Sequence, residues 1–200
     1  IGGFIQQEPV EGAPSSEKTE IWIFFDDSNI YVSARCWDSD PEREIANEMR
    51  RDSQNIVQNE NVTIIFDTFH DKRNSVFFQT NPLGAQRDVA ATDESTMNMD
   101  WNTVWDVKTQ RSNQGWTAEF AIPFKSLRYD SDPVQIWGFN VRRTIRYKNE
   151  QTFLTAVPAF VGMRATQMVS LAATLVGLET PQSSRNLEVK PYGIAGLRTD

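Results

Sequence analysis

The sequence predicts an all-β protein, an antiparallel two-sheet β-sandwich of jelly-roll or immunoglobulin-like type with one or two short helical turns. Three observations carry this. Short runs alternate apolar and polar residues with a period of two, turn residues recur between them, and candidate strands far outnumber candidate helices. The clearest run is Gly115 to Leu127, GWTAEFAIPFKSL. Trp116, Ala118, Phe120 and Ile122 share one strand face, and Thr117, Glu119 and Ala121 the other. Asn113, Gln114 and Gly115 close a hairpin with Val104 to Thr109. Pro123 ends the strand, and Lys125 to Leu127 reads as one helical turn.

In chain order, residues 1–19 are polar and turn-rich. Ile21 to Phe25 and Ile30 to Trp37 form a hairpin about the turn Asp26-Asp27-Ser28-Asn29. Asp40 as N-cap and Pro41 at the first position predict a short helix over Glu42 to Met49. Asn61 to Thr68 and Ser75 to Asn81 pair about a charged turn that holds His70. Residues 82–103 read as a long polar loop, a length that usually marks function. Gln135 to Arg146, Phe153 to Val161 and Gln167 to Val176 complete the strands. The expected division is a sandwich over 1–178, then a linker and the first strand of a following domain over 179–200, because Leu187 to Leu197 alternates with no partner in the chain.

Apolar residues at 39% suffice for a sizeable core, and the net charge of −7 argues against nucleic acid or anionic lipid as partner. The single cysteine, Cys36, excludes an internal disulfide and shares a strand face with Ile30, Val32 and Ala34, so a buried, inert thiol is expected. The chain opens on Ile1 with no signal peptide and is read as an interior piece of a longer chain.

Several stretches together resemble the family 9 carbohydrate-binding module-like domains. They are IWIFFDDSNIYVSARCWDSDP, NVTIIFDTFHD, FFQTNPLGAQRD, WDVKTQRSNQGWTAEFAIPFKSLRY and WGFNVRRTI, spanning about residues 20 to 178. The tail LEVKPYGIAGLRTD is similar to the first barrel strand of large bacterial outer-membrane proteins of unknown function, in which such a sandwich precedes the barrel. The resemblance implies a Gram-negative envelope protein, on the periplasmic or extracellular side of the outer membrane, linked to polysaccharide binding or catabolism. Its own C-terminal barrel and a glycan would be its partners. Family members begin with an extra strand that carries an Asp-Gly and a Trp, and this chain starts after it. Sugar-binding members hold the sugar between two tryptophans.

Sugar sites combine flat aromatic faces with Arg, amide or carboxylate side chains that bond hydroxyls. Trp101 among polar neighbours, Arg87 and Asp88 in the long loop, and Gln79 and Asn81 leading into it make the candidate glycan cluster, with Trp37 at a strand end as a further platform. The plainer reading is a loop packed over a sheet end with Trp101 covering the core. Trp22, Trp105, Trp116 and Trp137 read as core. Calcium is the candidate ion, with Asp26, Asp27 and Asn29 in one turn and Asp38 and Asp40 in another, against ordinary turn chemistry. The basic run Arg142, Arg143, Arg146, Tyr147 and Lys148 suits either an anionic ligand or a solvated strand end. One histidine excludes a multi-histidine zinc site. A glycosidase needs paired carboxylates, and nothing in the sequence pairs Glu119 with Asp67. Three readings follow: a non-catalytic glycan-binding module, a structural or interaction domain packing on a barrel, and part of an O-glycosyl hydrolase.

Overall fold

The computed structural model describes residues 1–181. The expected linker and barrel strand lie almost wholly outside the described residues. Two antiparallel sheets face each other, as the alternation predicts. The larger runs in the order β1 (Ile5–Glu8), β11 (Glu150–Phe153), β10 (Val134–Ile145), β4 (Asn61–Asp67), β5 (Ser75–Thr80), β6 (Gln86–Thr92) and β7 (Thr96–Asn98). β12 (Ala173–Glu179) pairs with the first half of β10, and β11 with its second half. The smaller sheet runs β2 (Thr19–Phe25), β3 (Asn29–Trp37), β9 (Gly115–Pro123) and β8 (Asp106–Ser112).

The inward phases of both sheets make the main core. Trp116, Ala118, Phe120 and Ile122 of β9 and Ile30 to Cys36 of β3 meet Val62, Ile64, Phe66, Phe78, Trp137 and Phe139 from the larger sheet. Cys36 is wholly buried there, and burial pushes its thiol up to about 11. The hairpin at Gly115 requires glycine: its φ is +116°, and a Cβ would lie 2.1 Å from the Cys36 carbonyl oxygen.

β4 is buried on both faces, because the outer face of the larger sheet is covered too. Ile65, Phe77, Val89 and Phe153 on that face pack against Val157, Val161, Ala165 and Val169 of a chain that crosses it. This crossing chain takes most of the residues of two expected strands. Phe153 to Val161 ends as strand at Phe153, and turns of 3-10 helix occupy Ala159–Gln167 and Val169–Leu171 before β12. The second expected strand, Gln167 to Val176, begins later, at Ala173, and as β12 it takes the edge of β10.

Three other expectations change. The entry segment contributes β1. The helix over Glu42 to Met49 shrinks to one 3-10 turn at Pro41–Arg43. Tertiary bonds hold the rest extended: Asn59 Oδ1 accepts from the backbone N–H of Asn47 and Glu48, and Asn81 Nδ2 donates to the Glu48 carbonyl. The long loop 82–103 is not a loop throughout. Gln86 to Thr92 alternates, with Arg87, Val89 and Ala91 outward and Asp88 and Ala90 inward, and it pairs with β5. Polar residues on both phases concealed that strand. Trp22, expected in the core, is 42% exposed on the outer face of the small sheet. Trp105 is buried, as expected, although it precedes β8 and is not within a strand.

Candidate functional site

The outer face of the larger sheet carries a row of polar residues in direct register: Arg142 on β10, Thr63 on β4, Gln79 on β5 and Arg87 on β6. Strand alternation puts Trp137, Phe139 and Val141 inward, so Asn140, Arg142 and Thr144 turn outward. In β4 the same phase places Asn61 and Thr63 beside them.

The row is one continuous hydrogen-bonded chain. Arg87 Nη1 donates to Gln79 Oε1 at 3.0 Å, and Gln79 Nε2 donates to Asn61 Oδ1 at 2.9 Å. Arg142 Nη2 donates to the same Asn61 oxygen at 3.4 Å and to Thr63 Oγ1 at 3.3 Å. Asn61 is itself held by its Nδ2, which donates to the Asn59 carbonyl at 2.8 Å. Neither arginine forms an ion pair among the described residues. Arg142 Nε is buried without a hydrogen-bond partner, as is Asp52 Oδ1. Burial, helped by the Arg87 charge, pulls Arg142 down to about 10. Burial also lowers Arg87, opposed by Asp52. One buried and one half-buried guanidinium group are thus held by neutral acceptors alone, which leaves positive charge unmet and the buried Arg142 Nε without a partner.

The candidate cluster Gln79, Asn81, Arg87, Asp88 and Trp101 is therefore divided. Gln79 and Arg87 belong to this row. Asn81 is spent on the turn after β5: its Oδ1 accepts from Leu83 and Ala85 N–H, and its Nδ2 donates to Glu48 and Asn59. Asp88 faces inward and fastens the segment 101–105 to the sheet. It accepts from Trp105 Nε1 at 3.0 Å, from Thr103 N–H at 2.8 Å and from Arg51 Nη2 at 2.5 Å. Burial raises its pKa, against the bonds from Trp105 and Thr103.

Trp101 is half-buried, with its ring 6.0 Å edge-on from Phe78. It lines an open groove of about 1090 Å³ bounded by Val76, Ala90, Thr103 and Leu127. Trp101 packs on the core and also faces the groove. Trp37 stands elsewhere, on the outer face of the small sheet. Arg35 lies over its ring at 3.7 Å, and its Nε1 donates to Glu20 at 2.7 Å. Trp37 and Trp101 therefore do not flank one slot.

The calcium expectation is not met by the geometry. The two acidic turns lie at opposite ends of β3. Asp26 accepts from Ser28 and Asn29 N–H and from the Tyr31 hydroxyl, while Asp38 accepts from Asp40 N–H and Tyr147 OH. Asp27 is exposed. Among the described residues no three His, Cys, Asp or Glu side chains group as metal ligands. Glu119 and Asp67 lie on the outer faces of different sheets and do not pair.

Sequence reasoning placed Arg142 in a solvated or anion-gripping run and missed Asn61 and Thr63. The run is split: Arg143 points inward and donates to the carbonyls of Lys18 and Trp37 and to Thr19 Oγ1. The available signal was the polar phase of two neighbouring strands, Asn61/Thr63 and Asn140/Arg142.

No protein-family model and no curated protein matches the chain. Among solved structures it is similar to a family 9 carbohydrate-binding module from Caldicellulosiruptor kristjanssonii in complex with cellotriose, with a TM-score of 0.56, 16% identity, and coverage of 96% of this chain and 88% of that one. The module in complex with glucose gives a TM-score of 0.58, 15% identity, and coverage of 93% and 87%. A candidate carbohydrate-binding protein from Bacteroides uniformis gives 0.63, 11%, and coverage of 86% and 85%. The described chain has the sandwich fold of family 9 carbohydrate-binding modules.

Proposed function

We propose that the chain is a non-catalytic carbohydrate-binding module whose sugar site is the arginine row on the outer face of the larger sheet. One observation carries this: Arg87 and Arg142 stand at the two ends of one polar row, linked through Gln79 and Asn61, and neither forms an ion pair among the described residues. Guanidinium groups in that state suit the paired hydroxyl oxygens of a sugar. The crossing chain adds apolar surface for a pyranose face, with Phe160 89% and Met163 96% exposed. The fold likeness to modules solved with cellotriose and glucose supports the same reading. Calorimetric titration with a panel of plant and microbial oligosaccharides tests it. Saturable binding that Arg87→Gln and Arg142→Gln each abolish, in variants that stay folded, is expected. Binding that survives both substitutions would remove the site assignment.

A second reading has its own observation. Trp22, Phe24 and Phe25 are exposed along β2, an edge strand, and make an apolar margin suited to another protein surface. Under this reading the sandwich packs on an outer-membrane barrel within the same polypeptide, in the bacterial envelope. Limited proteolysis of the longer protein checks it: Trp22→Ser with Phe24→Ser should release the sandwich from the barrel, and an unchanged association would count against it.

A further inference from the structure

We infer that the groove beside Trp101 is a second, separate binding site, and that it takes acidic oligosaccharides built from uronic acid residues. The groove opens between the inner faces of β5 and β6 and the segments 101–104 and 125–128, on the opposite face of the larger sheet from the arginine row. At about 1090 Å³ it is as large as the largest small-molecule sites, which run to roughly 1,000 Å³. An oligomer fits that space better than a single sugar.

Its walls are held in shape before any ligand arrives. Asp88 fastens the 101–105 segment through Thr103 and Trp105. Ser126 Oγ donates to the Val104 carbonyl at 2.6 Å, Thr103 Oγ1 to the Ser126 carbonyl at 3.2 Å, and Thr68 Oγ1 to the Arg128 carbonyl at 2.5 Å. These hydroxyls are therefore committed to the walls. Trp101, Val76, Ala90 and Leu127 supply apolar surface to the same space.

The charge decides the ligand class. Among the described residues, Lys125 and Arg128 are the only charged ones that line the groove, in a chain of net charge −7. Both are exposed, and neither forms an ion pair among the described residues. A ligand that matches this surface has flat apolar faces for the tryptophan side and carboxylates for the two cations. A uronic acid oligomer has both on each residue. An acidic peptide shares the charge, but β5 and β6 are paired on both sides, so the floor offers a peptide no free strand edge to extend.

The test is a titration of the protein with oligogalacturonates, neutral cello-oligosaccharides and an oligoglutamate peptide, followed by tryptophan fluorescence. Binding of the oligogalacturonates is expected, weakened by added salt. Lys125→Gln with Arg128→Gln, both at exposed positions, should weaken it by about tenfold or more, as the loss of charge-assisted bonds implies. Arg142→Gln should leave it unchanged. Four results would overturn the inference: no oligogalacturonate binding, indifference to the Lys125/Arg128 substitutions, equal binding of the oligoglutamate, or loss of binding in Arg142→Gln. The last would move the acidic ligand to the arginine row. The arginine-row reading stands or falls separately, on the response of neutral sugars to Arg87 and Arg142.

Discussion

The two faces of the larger sheet solve the placement of charge in opposite ways. On the outer face, Arg87 is buried and Arg142 half-buried, and their bonds go to neutral acceptors: amide oxygens, a hydroxyl and the Met99 sulfur. On the inner face, at the groove, Lys125 and Arg128 remain in water while the carboxylate of Asp88 is buried and fully bonded. Asp88 is satisfied and so is structural. Arg142 is not, since its Nε is buried without a partner, and so can gain from a ligand. Unmet hydrogen-bonding capacity alone does not mark a recognition residue, since Arg143 Nε and Trp116 Nε1 are also buried without partners inside the sandwich; Arg142 differs from them in facing outward.

The largest effect expected from this contrast is at Asp88. Asp88→Ala leaves Trp105 Nε1 and the Thr103 N–H without an acceptor and should cost about 2–4 kcal/mol in urea denaturation. A loss below about 1 kcal/mol would mean that Asp88 does not anchor the segment 101–105.

Next comes a pH effect at Glu60, which adjoins the row. Burial raises its carboxyl to about 7, against Arg143 and the Arg146 N–H. Its folded pKa lies above its ordinary value, so its contribution is fully present below about pH 4.5 and is lost as pH rises through 7. Glu60→Gln should flatten stability across that window by about 2–3 kcal/mol. A wild-type and variant difference that does not change between these pH values would contradict the burial argument.

Arg142→Met should behave in the reverse manner to Asp88→Ala. An unneutralised buried guanidinium replaced by an apolar side chain should leave stability unchanged or raise it by about 1–2 kcal/mol, while sugar binding is lost. A marked loss of stability would place Arg142 among the structural groups. The smallest effect is expected at Trp22, exposed on the small sheet: Trp22→Ser should change thermal stability by less than about 0.5 kcal/mol. A larger loss would show that the outer aromatic margin supports the fold.

The two-sheet fold was legible because alternation survives in β3, β9 and β10, where one phase is apolar and the other polar. β6 was hidden, since Arg87 and Asp88 sit on opposite phases and both are polar. The helix after Pro41 failed because Asn59 and Asn81, distant in sequence, claim the backbone groups it would have used. The site followed the same logic. Gln79 and Arg87 were nameable from residue type, but their partner Arg142 is 55 residues further along the chain than Arg87 and meets the row only through strand register. Proximity in sequence joined Asn81, Asp88 and Trp101 to them, whereas the fold commits Asn81 to a turn, turns Asp88 inward and sets Trp101 at the groove.

The most direct test of the arginine-row account is an NMR titration that follows arginine Nε–H resonances while neutral oligosaccharides are added. Arg142 Nε is buried without a partner, so a bound sugar oxygen should shift its signal strongly, with Arg87 following and the tryptophan indoles unmoved. Saturable binding that moves only indole or lysine signals would contradict the account and place the neutral sugar elsewhere on the sandwich.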